Sequence, residues 1–275
     1  MLKTRVATAV VLAVLLLVAL FALPPAGWLA FALAVGAAAA WEWAGLARAA
    51  ASSRLAYAVA TVAAAAALAV FAGLHEGAAS APLLVPVYGA AALFWLFGAT
   101  AWLWRLPPAP SVALVLVLGW LVLIPTLLAL VELRNAGPVL LLAIMVTVWI
   151  ADIAAYFAGR AFGRRKLAPR VSPGKSWEGV AGAFAATTAY ALAWRTFGPD
   201  FLPALPPVLA HPAGFVLFVW ILTAASILGD LLESALKRQA GLKDSSGLLP
   251  GHGGVLDRID ALTPVLPLAA LAVAR

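Results

Sequence analysis

The chain has 275 residues, 65% hydrophobic and 11% charged, with a mean hydropathy of +1.05. A soluble domain carries roughly 25% charged residues, so a water-soluble fold is excluded, and the absence of cysteine excludes disulfides and thiolate metal sites. The net charge of +7 would suit a nucleic-acid binder, but in so apolar a chain the positive-inside bias and anionic lipid account for it, and no nucleic-acid partner is expected.

Long unbroken apolar runs argue for helices and against the short alternating segments of a membrane β-barrel. The expected fold is an all-α polytopic integral membrane protein with about nine transmembrane helices. Lys3 and Arg5 precede an apolar run at 6–23. That run is long for a signal peptide and more spans follow at once, so it reads as an uncleaved first span. Pro24 and Pro25 make a turn, and 28–43 is the second span. Glu42 lies between Trp41 and Trp43 near its end, in the pattern of an interfacial belt. Arg48 and Arg54 flank a polar link to the alanine-rich third span at 55–74, a small-residue packing surface.

The fourth span is 83–104, followed by Arg105 and a stiff connection with Pro107, Pro108 and Pro110. The fifth, 111–133, carries Pro125 as an expected kink. The sixth is 139–157, then a basic loop at 160–175, and the seventh is 180–197. A proline-rich loop at 199–212 has room for a re-entrant apolar piece. The eighth span is 214–232, a charged loop covers 233–256, and 257–274 is the ninth. With the N-terminus in the cytoplasm, all of the 18 basic residues except Arg134, Arg195 and Arg275 fall inside, as the positive-inside rule asks. Both charged loops then face the cytoplasm. The chain divides into an N-terminal membrane region, 1–137, and a C-terminal region, 138–275, that holds both loops. No internal repeat is visible.

Charge concentrates at 226–260. Asp230, Glu233, Lys237, Arg238, Lys243, Asp244, Asp257, Arg258 and Asp260 stand there with His252. Charge is expensive in a membrane protein, so a cluster of both signs points to a site. Asp257 and Asp260 are three apart and share a helical face. Asp230 ends the preceding span and can join them. Such carboxylates suit Mg²⁺, which shares its hard oxygen ligands with phosphates; a second, monovalent cation is compatible with the same carboxylates. Lys237, Arg238, Lys243 and Arg258 can neutralise phosphate oxygens. Gly253 and Gly254 beside His252 permit close backbone approach. His252 could carry a proton, donate to a phosphate or simply order its loop. Ser226, Asp230, Glu233 and Ser234 lie on one helical face. His75 and His211 are assigned no role.

A second constellation precedes it. Asp152, Tyr156 and Arg160 follow at four-residue intervals and form a polar stripe toward the charged surface. Gly174-Lys175-Ser176 looks like the end of a P-loop, but the motif's first glycine would fall on Pro169 and no strand is expected before it. The remaining reading is a helix start, with Ser176 and Glu178 as capping residues. Free amides there, with Lys175, would cradle a phosphate.

The pattern Ser234-x-Leu236-Lys237-Arg238-x4-Lys243-Asp244-x-Ser246-x2-Leu249-Pro250-x-His252-Gly253-Gly254-Val255-x-Asp257-Arg258-Ile259-Asp260 resembles the signature of the phosphatidate cytidylyltransferases, also called CDP-diacylglycerol synthases. The stretch 152–179 resembles that family too, whereas the N-terminal half is similar only in being apolar. The resemblance implies CTP and phosphatidate as substrates, CDP-diacylglycerol and pyrophosphate as products, and Mg²⁺ as cofactor. It implies Asp230, Lys237, Arg238, His252, Asp257 and Asp260 as catalytic residues, with Asp230, Asp257 and Asp260 holding metal. Asp152, Tyr156, Arg160, Ser172, Lys175, Ser176, Glu178, Lys243, Asp244, Gly253, Gly254 and Arg258 are implied to bind substrate. The implied location is a bacterial inner membrane, with the site facing the cytoplasm. Nothing in the chain fixes its oligomeric state, and a homodimer is compatible with it. Two other classes remain open: a CTP-dependent polyprenol or lipid kinase, and an ion-coupled transporter using Asp152 and Asp230.

Overall fold

The structure, a computed structural model, describes residues 2–108, 110–198 and 206–273. Helices dominate it, as the apolar runs require, because only intrahelical bonding satisfies backbone groups in lipid. In chain order they are α1 (Leu2–Ala22), α2 (Pro25–Leu46), α3 (Ala51–Phe71), α4 (Val85–Leu93), α5 (Thr100–Arg105), α6 (Val112–Ala136), α7 (Pro138–Phe162), α8 (Trp177–Phe197), α9 (Pro207–Ala210), α10 (Pro212–Ala240), α11 (Leu256–Ile259) and α12 (Leu262–Val273). A π-helical turn at Phe94–Ala99 joins α4 to α5, so that Pro82–Arg105 is one apolar rod. α6 runs unbroken through Pro125.

Among the described residues six helices are long and apolar enough to cross a membrane: α2, α3, the 82–105 rod, α6, α7 and α10. Val6–Ala22 and α12 are shorter apolar helices. The expected ninth span is divided, since α11 ends at Ile259 and α12 starts only at Leu262. The expected re-entrant piece lies mostly outside the described residues, apart from the single turn α9.

One departure from an all-helical chain matters for the site. The basic loop after α7 folds into an antiparallel hairpin, β1 (Lys166–Ala168) with β2 (Ser172–Ser176), in which Lys166 pairs with Ser176 and Ala168 with Ser172. Gly174, Lys175 and Ser176 thus lie in a strand. Val171 is buried against Leu231 and Ala235 of α10, with Leu167 and Ala168 packed alongside. Tertiary docking stabilises a strand that its Pro, Gly, Lys and Ser residues would not favour alone.

Among the described helices α7 and α8 make the most extensive contact. Small residues permit this approach. A Cβ at Gly182 would come within 2.4 Å of Ala158 Cβ, and one at Gly179 within 2.8 Å of the Ala155 carbonyl. Elsewhere polar side chains tie helices across the core. Trp43 Nε1 donates to the Val115 carbonyl at 2.7 Å and the Tyr57 hydroxyl to the Leu116 carbonyl at 2.8 Å, so α2 and α3 both grip α6. Glu132 of α6 is buried and accepts from the Tyr88 hydroxyl at 2.6 Å and the Ala81 amide at 2.9 Å.

α10 has 29 residues and rises about 44 Å, against a hydrocarbon core of about 30 Å. It is longer than that layer is thick, and its charged residues gather in its C-terminal turns.

Gly182→Val forces Cβ and methyl groups into Ala158 and should destabilise the protein by about 1–3 kcal/mol. Thermal unfolding in detergent micelles should show a lower melting temperature. Gly174→Ala is the control, because a Cβ there meets nothing within 4 Å and the melting curve should stay unchanged.

Candidate active site

The charged centre is assembled from α10, α11, the intervening loop and β2. The hairpin sets Lys175 against α10, where its Nζ lies 2.6 Å from Asp230 Oδ2. Ser234, one turn further along α10, donates to Asp230 Oδ1 at 3.1 Å. Asp152 of α7 lies within electrostatic reach of both Lys175 and Asp230. The two constellations seen in the sequence therefore meet at Lys175 and Asp230.

Beside this pair is a deeper one. Lys237 Nζ lies 2.5 Å from Glu233 Oε2 and 2.6 Å from Asp257 Oδ1, with its side chain only 13% exposed. Asp257 is saturated. Its other oxygen accepts from the Ser245 amide at 2.9 Å and the Gly254 amide at 2.8 Å, with the Ser245 hydroxyl also at 2.9 Å. The Lys237 ammonium and these amides together stabilise the ionised Asp257 carboxylate. Glu233 is the opposite case, buried with no well-directed hydrogen bond on either carboxylate oxygen.

Asp260 follows α11 and accepts its neighbour Ala261's amide at 2.8 Å. Its main chain sits close against α10, so near that a Cβ at Gly229 would fall 2.5 Å from the Asp260 carbonyl. Asp260, Asp230 and Glu233 interact electrostatically. Of the three aspartates expected to share a metal, Asp230 and Asp260 interact with each other, while Asp257 has both oxygens committed to Lys237 and the loop and Asp230 has its own engaged by Lys175 and Ser234. Among the described residues no group of three or more Asp, Glu, His or Cys side chains is placed to hold a metal ion.

Other expected site residues divide into two sets. Ser176 is the N-cap of α8, its hydroxyl accepting the Gly179 amide at 3.2 Å. Glu178 reaches back to the Arg164 and Arg165 amides, at 3.0 and 3.2 Å, and fixes the base of the hairpin. The amides around it, its own and that of Arg164 foremost, hold its carboxyl down at about 2. These two shape the hairpin, as does the half-buried Ser172 that pairs with Ala168. By contrast Asp152, Tyr156, Arg160, Arg238, Lys243, Asp244 and Arg258 are exposed around the centre. Tyr156 and Arg160 touch, at 3.4 Å, while Arg238 donates to the Leu242 carbonyl. His252 is half-buried and its Nδ1 has no partner among the described residues.

Gly253 has φ +78 and Gly254 is buried. A Cβ on Gly254 would meet Ser245 Oγ at 2.0 Å and Glu42 Oε1 at 2.5 Å. The close approach this glycine serves is to the protein's own carboxylate. Glu42 is 1% exposed, contrary to its expected place in an interfacial belt. It accepts from the Ser246 hydroxyl at 2.5 Å, the Val255 amide at 3.0 Å and the Leu256 amide at 2.6 Å, with the Ser245 hydroxyl at 3.2 Å. The cost of an acidic residue inside an apolar run was the available signal; the flanking tryptophans masked it.

Removing Lys237 takes away the cation that Glu233 and Asp257 share in a desolvated setting. Lys237→Met should cost about 3–5 kcal/mol of stability, read as a lower melting temperature, and Glu233→Gln in the same protein should restore part of it. Arg238→Gln, one residue on but exposed, should change stability by no more than about 0.5 kcal/mol.

Residues 3–274 match the cytidylyltransferase family. A phosphatidate cytidylyltransferase of Pseudomonas aeruginosa is 45% identical over 276 residues, which covers 98% of this chain and 96% of that protein. The phosphatidate cytidylyltransferase of Haemophilus influenzae is 38% identical over 304 residues, covering 97% and 96%. That of Thermotoga maritima is 41% identical over 136 residues, covering 50% of this chain and 49% of its own.

Proposed function

Because the chain belongs to the cytidylyltransferase family, we propose that it joins CTP to phosphatidate, releasing pyrophosphate and forming CDP-diacylglycerol. The observation that carries this reading is the Lys175–Asp230 pair, a cation and a carboxylate held where helices leave the apolar layer. A lipid phosphate can reach that level from the bilayer, and a nucleotide from the water.

An oxygen of the phosphatidate phosphate attacks the α-phosphorus of CTP. That P–O bond forms as the bond to the β-phosphate breaks, and pyrophosphate leaves with the electron pair. The nucleophile is already an anion, so no strong general base is required. The obstacle is repulsion between two polyanions, which positioning and charge neutralisation overcome. Lys175 takes the phosphate, and the exposed Arg160, Lys243 and Arg258 are available to neutralise further charge. Lys237, locked between Glu233 and Asp257, holds the centre in register.

Mg²⁺ fits the donor set. Asp230 and Asp260 offer hard oxygens near each other, and Mg²⁺ is commonly held by one or two carboxylates plus substrate phosphates. When bound it supplies charge neutralisation at the phosphates. Asp257 is read as the anchor of the loop. The proposed setting is a bacterial inner membrane, with nine spans, the N-terminus inside and the site facing the cytoplasm.

Purified protein in micelles, given labelled CTP, phosphatidate and Mg²⁺, should form CDP-diacylglycerol and pyrophosphate in equal amounts. CDP and a phosphorylated lipid would indicate a kinase instead. Lys175→Ala should cut turnover by about 100-fold with the melting temperature unchanged. Asp260→Asn should abolish turnover, and Asp230→Asn should abolish it or raise the Mg²⁺ requirement. A Mg²⁺ titration of both folded variants that matched wild type would decide against the metal assignment. Topology is best read at Gly247, which is exposed and where an added Cβ meets nothing within 4 Å. In this cysteine-free chain Gly247→Cys should react with an impermeant thiol reagent from the cytoplasmic side alone.

A further inference from the structure

We propose that Glu42, far from the signature stretch in sequence, is a positioning residue for the reaction: it holds the 245–256 loop in its working shape. The proposal rests on the cytidyl-transfer reading above.

Glu42 stands on α2 in the N-terminal half, and its four donors all belong to the 245–256 segment, 203 to 214 residues away. Among the described residues no Lys, Arg or His pairs with it. Its charge is met by hydroxyls and amides of one segment. A purely stabilising ion pair would be built differently, with a cation on the neighbouring helix. Here the carboxylate gathers both ends of a loop, Ser245 and Ser246 at one side and Val255 and Leu256 at the other.

The loop so closed is the one that carries Asp257. Ser245 Oγ lies between the two acids, 3.2 Å from Glu42 Oε2 and 2.9 Å from Asp257 Oδ2. One hydroxyl proton serves one acceptor at a time, so the two acids share Ser245 and its hydroxyl links their positions. From Asp257 the chain of contacts passes to Lys237 and Glu233, on the α10 turn beside Asp230. A carboxylate that accepts only from backbone amides and hydroxyls sets the direction of each bond. Gln in its place keeps the volume but turns a donor toward the amide of Leu256 or that of Val255, neither of which can accept. That loop edge must then move, and Asp257 with it.

The test uses the full-length protein in micelles, with Gly247→Cys as the parent. Turnover per folded protein, KM for each substrate and the rate of thiol labelling at position 247 are measured with and without Glu42→Gln. The variant should elute as folded protein, lose about 10- to 100-fold in kcat and label about fivefold faster as the loop opens. A variant with a lower melting temperature but turnover and labelling within about twofold of the parent would overturn the proposal and leave Glu42 a stability residue. If Glu42→Gln does not fold, Ser246→Ala removes one donor alone. That variant should also label faster and turn over more slowly, and parental values in both would equally overturn the proposal. Failure of the parent itself to release pyrophosphate from CTP would instead strike the cytidyl-transfer reading, so the two failures are distinguishable.

Discussion

The centre of this protein depends on one buried cation. Lys237 sits between Glu233 and Asp257 at salt-bridge distance from both. Desolvating three charges is costly, and it is repaid only where geometry is tight and the remaining oxygens find donors. Asp257 meets that condition through Ser245 and Gly254. Glu233 does not: beyond the Lys237 ammonium its oxygens find no hydrogen-bond donor, and they lie at the turn near Asp230 and Asp260.

The second half of the site reaches the same place by a different route. The tightly packed α7–α8 pair holds the hairpin at its end, with Glu178 and Ser176 fixing the base and Val171 seating the turn against α10. Lys175 is carried by that seat to Asp230. Two elements distant in sequence therefore place one cation and one carboxylate face to face.

Much of this was legible from residue order. Apolar runs located the helices because lipid leaves the backbone no alternative. The clustering of Asp230, Lys237, Asp257 and Asp260 located the centre because charge in such a chain must be paired or used. Ser176 announced a helix start, and it caps one. Other features depend on tertiary contacts that no local pattern encodes. The strands of the hairpin exist because Val171 and Leu167 find α10 and its neighbours, against the propensity of Pro173 and Gly174. Helical spacing put Asp257 and Asp260 on one face, but the chain breaks between α11 and α12, and Asp257 turns to Lys237 instead. Glu42 looked interfacial because tryptophans flank it; only the fold shows that its partners lie at the opposite end of the chain.

The distance between Glu42 and its donors also bears on how the protein is made. Translation supplies about 5–20 residues per second, and the nearest donor lies 203 residues downstream. Glu42 therefore enters the membrane about 10–40 s before anything exists to bind it. In that interval the carboxylate has none of the donors that meet it in the folded protein. A segment made late thus completes the surroundings of a side chain on one of the first helices, and a nascent chain stalled before residue 245 would lack all of those donors.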